Sequence, residues 1–365
     1  MANDTLTGHP IPHQSRGETG LLAHVEGTLA DFLATQIATL DAVDPALGGF
    51  ARTARDLVLG GGKRLRPTFA YWGWRGVADP GEPLEPILPA IAALELMHTF
   101  ALVHDDVMDE SATRRGAPTA HRIFAGQHDR DGRRGDADRF GSTSAILLGD
   151  LCLVWADQLM ARSALTTTTL FAVRARYDRM RVETVAGQYL DVLGETQPEA
   201  WSLERALLVA RYKTASYTVQ RPLQFGLTLS GAEARSEIDA AYARYGARVG
   251  EAFQLRDDLL GVYGDPLVTG KPAGDDLRTG KPTALLMLAR RLATPAQLAE
   301  LAISAEVPIT RMAEVIADTG APARVEALIR RRVDEGLAAL RAAPIHPDAR
   351  TALSHLAVAA TNRPA

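Results

Sequence analysis

From Leu21 onward the chain is rich in Ala and Leu, has few β-branched clusters, and is broken into segments by Gly and Pro. That pattern predicts helices over 21–41, 46–59, 67–76, 86–109, 144–162, 168–192, 201–229, 232–263, 282–292, 308–317, 322–341 and 347–360. No strand-like alternation of useful length appears, and no repeat of fixed period. The segment from Ile87 to Val103 is apolar on nearly every side, as a helix at the centre of a bundle would be, and it runs directly into His-Asp-Asp-Val-Met-Asp-Glu. Near 247–263, a stripe of Val249, Ala252 and Phe253 runs into Asp257 one turn further on. Both stripes therefore end in acids. Three loops are expected: Gly60 to Pro67, the polar stretch from Gly126 to Ser142 as a mobile surface insertion, and Gly264 to Pro282.

Composition narrows the class. With 365 residues, 46% of them hydrophobic and 23% charged, the chain can bury a sizeable core. No linker divides it, so residues 21–365 are expected to form one domain behind a disordered leader, 1–20. A net charge of −4 argues against a general nucleic-acid binder, whose phosphate contacts need a basic excess. The single cysteine, Cys152, excludes an intrachain disulfide framework and suits a reducing cytoplasm. The longest apolar run, Ile87 to Val103, is interrupted by Pro89, Glu95 and His98, so no membrane span is expected. Cys152, Trp72, Trp74, Trp155 and Trp201 read as packing residues.

The acids carry the chemistry. Asp105, Asp106 and Asp109 form D-D-x-x-D, which on a helix puts Asp105 and Asp109 on one face with Asp106 on its flank. Like charges that close need a positive partner, and a hard divalent ion with oxygen ligands, such as Mg²⁺, is the natural one. Gln254, Asp257 and Asp258 repeat the arrangement at i, i+3 and i+4. If the two faces oppose each other, they form a cage for metals and a polyphosphate; if not, each is a solvated helix end. Cations lie nearby: Arg114 and Arg115 follow Asp109, and Lys63, Arg64 and Arg66 follow three glycines that let a ligand approach the backbone. The glycines could equally be a helix stop, and paired arginines are common on surfaces.

With these residues in order, the sequence resembles the trans-isoprenyl diphosphate synthases, or polyprenyl synthetases, of the short-chain geranylgeranyl and farnesyl type. The matching stretches are Gly61 to Pro67, His98 to Thr119, Gly149-Asp150-Leu151, Gly187 to Asp191, Lys213-Thr214 and Phe253 to Thr283. The resemblance implies an all-α single-domain bundle around a deep central cavity, usually a homodimer. It implies that Asp105, Asp106 and Asp109 hold Mg²⁺, three ions per site, on an allylic diphosphate, with Asp257 and Asp258 as the second motif. Arg114, Lys213 and Lys271 resemble the cations on the allylic diphosphate. Lys63, Arg66, His98 and Arg115 resemble the isopentenyl diphosphate site. Gln188, Asp191, Thr214 and Gln254 match polar groups at the reaction centre. One position departs from the family: the second motif is often D-D-x-x-D, and its fifth residue here is Gly261. Asp265, Asp275 and Asp276 are candidates for the missing charge.

The reaction implied is head-to-tail prenyl transfer: ionisation of the allylic diphosphate, attack by the isopentenyl double bond and loss of a proton, in a cavity that excludes water. Met97, Phe100, Ala101, Leu102 and Val103 are expected to line it. Phe100 lies five residues before Asp105, about 7.5 Å deeper along the helix. A bulky Phe100 beside a small Ala101 resembles one class of C20 synthases, so geranylgeranyl diphosphate is favoured over farnesyl diphosphate. Ordinary core packing is the alternative for Phe100. Three rivals are weaker. A class I terpene cyclase would not need the Gly-Gly-Lys-x-x-Arg loop, a metal hydrolase built on His104-Asp105 lacks further His ligands, and a non-catalytic subunit should have lost acids of the first motif.

Overall fold

The structure, a computed structural model, describes residues 16–197, 200–231, 235–265, 274–302 and 307–362. It is an all-α bundle with one two-residue ribbon. The helices are α1 (Arg16–Asp41), α2 (Pro45–Leu59), α3 (Leu65–Arg75), α4 (Leu88–Met108), α5 (Ala120–Arg130), α6 (Ala137–Met160), α7 (Thr167–Thr196), α8 (Leu203–Val209), α9 (Arg221–Leu229), α10 (Ser236–Tyr263), α11 (Asp275–Arg278), α12 (Ala284–Leu292), α13 (Pro295–Glu300), α14 (Ile309–Asp318), α15 (Ala321–Arg341) and α16 (Pro347–Thr361). A π-helical stretch, Ala210–Gln220, joins α8 to α9. Strands β1 (Thr113–Arg114) and β2 (Ala117–Pro118) follow α4.

The apolar segment behind the first acids is α4. From Ala90 to Phe100 every side chain is buried, polar Glu95, His98 and Thr99 included, so the helix is the bundle's centre as its composition requires. Its carboxyl end opens: Ala101, Leu102, His104 and Asp105 are half-buried. Against it pack α6, α1 and α3, with α2, α5 and α7 at its flanks, and Phe32 of α1 meets Trp155 of α6 edge-on at 6.4 Å between ring centroids. A second apolar cluster gathers under α8, α10, α12, α14 and α15, including Trp201, Leu255, Leu285 and Ile316. Buried Glu95 of α4 accepts from Arg64 at 2.7 Å, which ties the start of α3 to the central helix. Cys152 and all four tryptophans are buried.

Two element boundaries differ from expectation. Residues 16–20, assigned to a leader, begin α1, while 1–15 lie outside the described residues. The stretch from Gly126 to Ser142 is not a mobile insertion: α5 runs through Arg130 and α6 starts at Ala137, capped by Asp136, whose carboxylate accepts from Arg139 N at 2.8 Å. α5 carries a buried stripe, His121, Phe124, Ala125 and His128, spaced i, i+3, i+4 and i+7, whose last member lies in this stretch. Among the described residues one helix, α6, has the length and apolarity to cross a bilayer, a test that the core helix of a bundle also passes, and it packs on α4 and α5.

The π stretch also departs from the regular helix expected over 201–229. Pro222, two residues beyond it, has no N–H to close a regular turn. Gly187 of α7 lets the stretch come close, since a side chain there would stand 2.2 Å from Lys213 N. The wide turn and the close approach together deliver Lys213 to the face of α7 that carries Gln188 and Asp191.

Candidate active site

The first acid motif closes α4. Asp105 is the hub: Oδ1 accepts from Lys213 Nζ at 2.7 Å and from Gln188 Nε2 at 3.2 Å, and Oδ2 from Arg114 Nη2 at 3.0 Å. Burial pushes its pKa up, but Lys213, Arg114 and Lys281 outweigh it and hold Asp105 well below the usual carboxylate range. Asp106 is buried and accepts from Arg114 Nε at 2.7 Å. Burial likewise opposes the charge of Arg114, and its bonds to Asp106 and Asp105 override it, raising its pKa. The mutual repulsion expected among the acids is thus relieved by the chain's own cations.

One cation here was not anticipated. Lys281, in the turn before α12, points its Nζ at Asp191 (2.8 Å), Asp109 (3.3 Å) and Glu195 (3.6 Å). Lys213 also reaches Asp191, at 2.5 Å. Both lysines keep raised pKa values: burial pulls each down, and the surrounding aspartates more than restore it. One oxygen each of Asp109, Asp191 and Glu195 lies within 4.8 Å of the others. Three hard oxygen ligands at that spacing fit a divalent cation. Burial, with Asp109 and Asp191 alongside, raises the pKa of Glu195 against the pull of Lys281.

A short hairpin splits the arginine pair. Thr113 pairs with Pro118 and Arg114 with Ala117 around Arg115–Gly116, both at positive φ, 54° and 75°. The turn sends Arg114 to the acids and Arg115 the other way, where its Nη1 donates to Gly61 O at 2.5 Å. Gly62 holds a φ of 132°, which side-chain-bearing residues rarely adopt, and lies close against that guanidinium. Arg64 holds a left-handed backbone at φ 47°, steadied by its pairing with Glu95 and by Thr68 Oγ1, which donates to Arg64 O at 2.8 Å. Arg66 donates to Thr218 Oγ1 at 2.8 Å and stacks over Tyr217, 4.2 Å from its centroid, while its buried Nε has no partner. His98 is buried beside them, with Tyr217 Oη 3.4 Å from its Nδ1. Burial, then Arg66, Arg115, Arg114 and Arg64, holds its pKa well below the ordinary value, so it is neutral. Lys63 is exposed at the rim of this group. A cationic cluster with few acids is a site for an anion.

The second motif is placed differently from expectation. Asp257 is half-buried, but Asp258 turns into the protein: Oδ1 accepts from Gln254 Nε2 at 2.9 Å and Oδ2 from Ala284 N at 3.2 Å. It braces the start of α12 behind Asp257, and Gln254 serves it. Burial raises Asp258 from 3.8 to about 7, with Asp276 and Asp257 adding to the shift. At Gly261, a Cβ would stand 3.0 Å from Asp276 Oδ2, so Asp276 brings a carboxylate to the departing position. Asp276 also acts on Lys281, which links the second motif to the first. Thr214 is half-buried next to Lys213. Lys271 lies outside the described residues. Met97 is wholly buried, whereas Ala101 borders the open end of α4.

The shift at Asp258 predicts a pH effect in metal-free protein. An acid whose folded pKa is raised binds more protons folded than unfolded between the two values, so its contribution to stability falls as pH rises from about 4 to about 7. Asp258→Asn abolishes that term and keeps both hydrogen bonds if Gln254 turns its amide. The melting temperature of the variant minus that of the unmodified protein should rise between pH 5 and pH 8. A flat difference would show that Asp258 keeps an ordinary pKa.

A helical bundle that gathers acids and lysines at one end of its central helix, beside an arginine pocket joined by a two-arginine hairpin, defines a site suited to metal ions and anionic ligands. The polyprenyl synthetase family model matches residues 49–317. The chain is 34% identical over 272 residues to a geranylfarnesyl diphosphate synthase of Aeropyrum pernix, covering 73% of this chain and 78% of that protein. It is 37% identical over 224 residues to a geranylgeranyl diphosphate synthase of Mycobacterium tuberculosis, covering 61% and 57%. Among solved structures it superposes on a geranylgeranyl pyrophosphate synthase of Corynebacterium glutamicum, complexed with isoprenyl diphosphate and magnesium. That match has a TM-score of 0.89 and 39% identity, over 94% of this chain and 99% of that one. The chain belongs to the polyprenyl synthetase family and is a trans-prenyltransferase of the prenyl diphosphate synthase type.

Proposed function

We propose that the protein condenses isopentenyl diphosphate with an allylic prenyl diphosphate and that its main product is geranylgeranyl diphosphate. The observation that carries the product is Phe100: a single aromatic ring on α4 below the acids, 9% exposed, beside small, half-buried Ala101. The hard-oxygen set of Asp105, Asp106, Asp109, Asp191, Glu195 and Asp257 fits magnesium, three ions being our proposed number. When bound, magnesium supplies Lewis-acid charge at the departing diphosphate. Arg114, Lys213 and Lys281 add positive charge to the same leaving group as its C1–O bond breaks. Lys63, Arg66 and Arg115 hold the isopentenyl diphosphate, with neutral His98 free to give a hydrogen bond. The apolar wall of α4 keeps water from the allylic cation, and the released diphosphate takes the proton. Product analysis with isopentenyl diphosphate and dimethylallyl, geranyl and farnesyl diphosphates tests this. A farnesyl product from every shorter starter would move the assignment to the runner-up, and a hydrocarbon from an allylic diphosphate alone would make the protein a cyclase. Phe100→Ala should shift product to longer chains; an unchanged product would return Phe100 to ordinary packing.

We also propose a homodimer. Ile146, Leu147 and Val154 of α6 and Phe171, Val182, Val185, Tyr189 and Val192 of α7 are exposed apolar residues, more than a scatter of single surface hydrophobes explains. A second copy covering this face gives twice the chain mass of 39.2 kDa in light scattering, and a monomer at micromolar concentration would refute it. A cytoplasmic location is part of the same proposal and rests on a lone, buried cysteine.

A further inference from the structure

We propose that His104 is a positioning residue for product length, holding the Phe100 ring in place as the floor of the elongation channel. The inference rests on the proposed role of Phe100. His104 and Phe100 lie one turn apart on α4, on the same face. The imidazole meets the Phe100 ring edge-on, with centroids 4.8 Å apart and planes at 66°. It is itself fixed from the neighbouring helix: its Nε2–H donates to the Ile146 carbonyl of α6 at 2.9 Å, and Asp150 Oδ1 stands 3.7 Å from the same nitrogen. Gly149 makes the slot. A Cβ at that position would come within 2.3 Å of His104 Cδ2 and Nε2, so no larger residue leaves room for the imidazole against α6.

Three residues of α6 therefore lock a ring that no catalytic step uses. A Phe side chain has two rotatable bonds, and in an open channel it can swing. With the imidazole pinned against α6, the space on that side is filled and Phe100 cannot leave the channel floor. Removing the imidazole opens a hole of aromatic size into which Phe100 can turn, deepening the channel by the depth of its ring.

The test reads product chain lengths from isopentenyl diphosphate and farnesyl diphosphate for the unmodified enzyme, Phe100→Ala, His104→Ala, the double variant and Gly149→Ala. One aromatic contact is worth a two- to tenfold population shift, so His104→Ala should raise the ratio of longer to normal product by roughly that factor. Gly149→Ala should move the ratio the same way by expelling the imidazole, and it stands in if His104→Ala does not fold. The double variant should match Phe100→Ala alone, because His104 acts through Phe100. A merely structural role would lower rate and melting temperature and leave the ratio unmoved. If Phe100→Ala lengthens the product while His104→Ala and Gly149→Ala do not, the positioning role is overturned and the floor stands. If Phe100→Ala changes nothing, the floor falls and the positioning role with it.

Discussion

Replacing Asp105 and Asp106 together by alanine is expected to lower turnover with Mg²⁺ by about 10³-fold or more, since loss of a single charge-stabilising group at a reacting centre costs about 10²–10³. Asp105 alone is met by Lys213, Arg114 and Gln188, so its loss releases the groups that organise the leaving-diphosphate side of the site. Sequence reasoning alone suggests that removing crowded acids relieves repulsion and stabilises the fold. The pairing in the structure reverses that sign. Asp105 titrates below its unfolded value, so it contributes stability above the ordinary carboxylate pKa that is lost as pH falls through the folded one. The double alanine variant removes this contribution, takes both acid partners from half-buried Arg114 and leaves Lys213 with Asp191 alone. The melting temperature at neutral pH should therefore drop, by the equivalent of about 1–3 kcal/mol. Steady-state assays and thermal melts on the same preparation separate the two losses. Turnover within tenfold of the unmodified enzyme would remove the pair from the chemistry.

The bundle was legible because Ala- and Leu-rich segments cut by Gly and Pro have few other ways to bury their apolar faces. The central role of α4 followed from a run with no polar side, and the placement of Asp105, Asp106 and Asp109 from simple helical spacing. What stayed hidden depended on side chains whose composition misreports their surroundings. The start of α6 and the last turns of α5 read as loop because Arg and Asp crowd them, although His128 is buried there against Phe140. The π stretch buries Ala215, Ser216, Tyr217, Thr218 and Val219 in succession, polar and apolar alike, so no apolar period marks it in the sequence. Asp258 carries the motif's identity but faces inward, a choice made by Gln254 and the free N–H of Ala284 at the start of α12. That orientation depends on a partner 26 residues away.

Lys281 is the most instructive omission. Gly-Lys-Pro occurs twice in the loop after α10, at 270–272 and 280–282, and family resemblance drew attention to the first copy. Nothing local distinguishes the second. Its acids come from the end of α4 and the last turns of α7, segments that meet only in the folded bundle. The signal available in the sequence was the surplus of acid: Asp191 and Glu195 lie four apart on one face of α7, and such a pair needs a cation from elsewhere.

Lys281→Ala should therefore have two linked consequences of opposite appearance. Its ammonium lies among Asp109, Asp191 and Glu195, the group whose oxygens fit a divalent ion. Without it, Lys213 remains at Asp191, but Asp109 and Glu195 lose their nearest cation, and the metal-free protein should melt lower. Added Mg²⁺ should then raise the melting temperature of the variant more than that of the unmodified protein, because a ligand that binds only the folded state stabilises it in proportion to its occupancy. Here the ion would replace a tethered charge instead of competing with it. Turnover should move the other way. Under the proposed function the lysine is one of three protein cations that act on the departing diphosphate, so its removal should cost about 10²-fold at saturating Mg²⁺. If Mg²⁺ stabilises both proteins equally, Lys281 does not occupy the metal locus. If turnover is unchanged while the thermal effect appears, the lysine only guards the acids in the resting enzyme. The combination of tighter ion binding and slower turnover is what a cation shared between fold and chemistry requires.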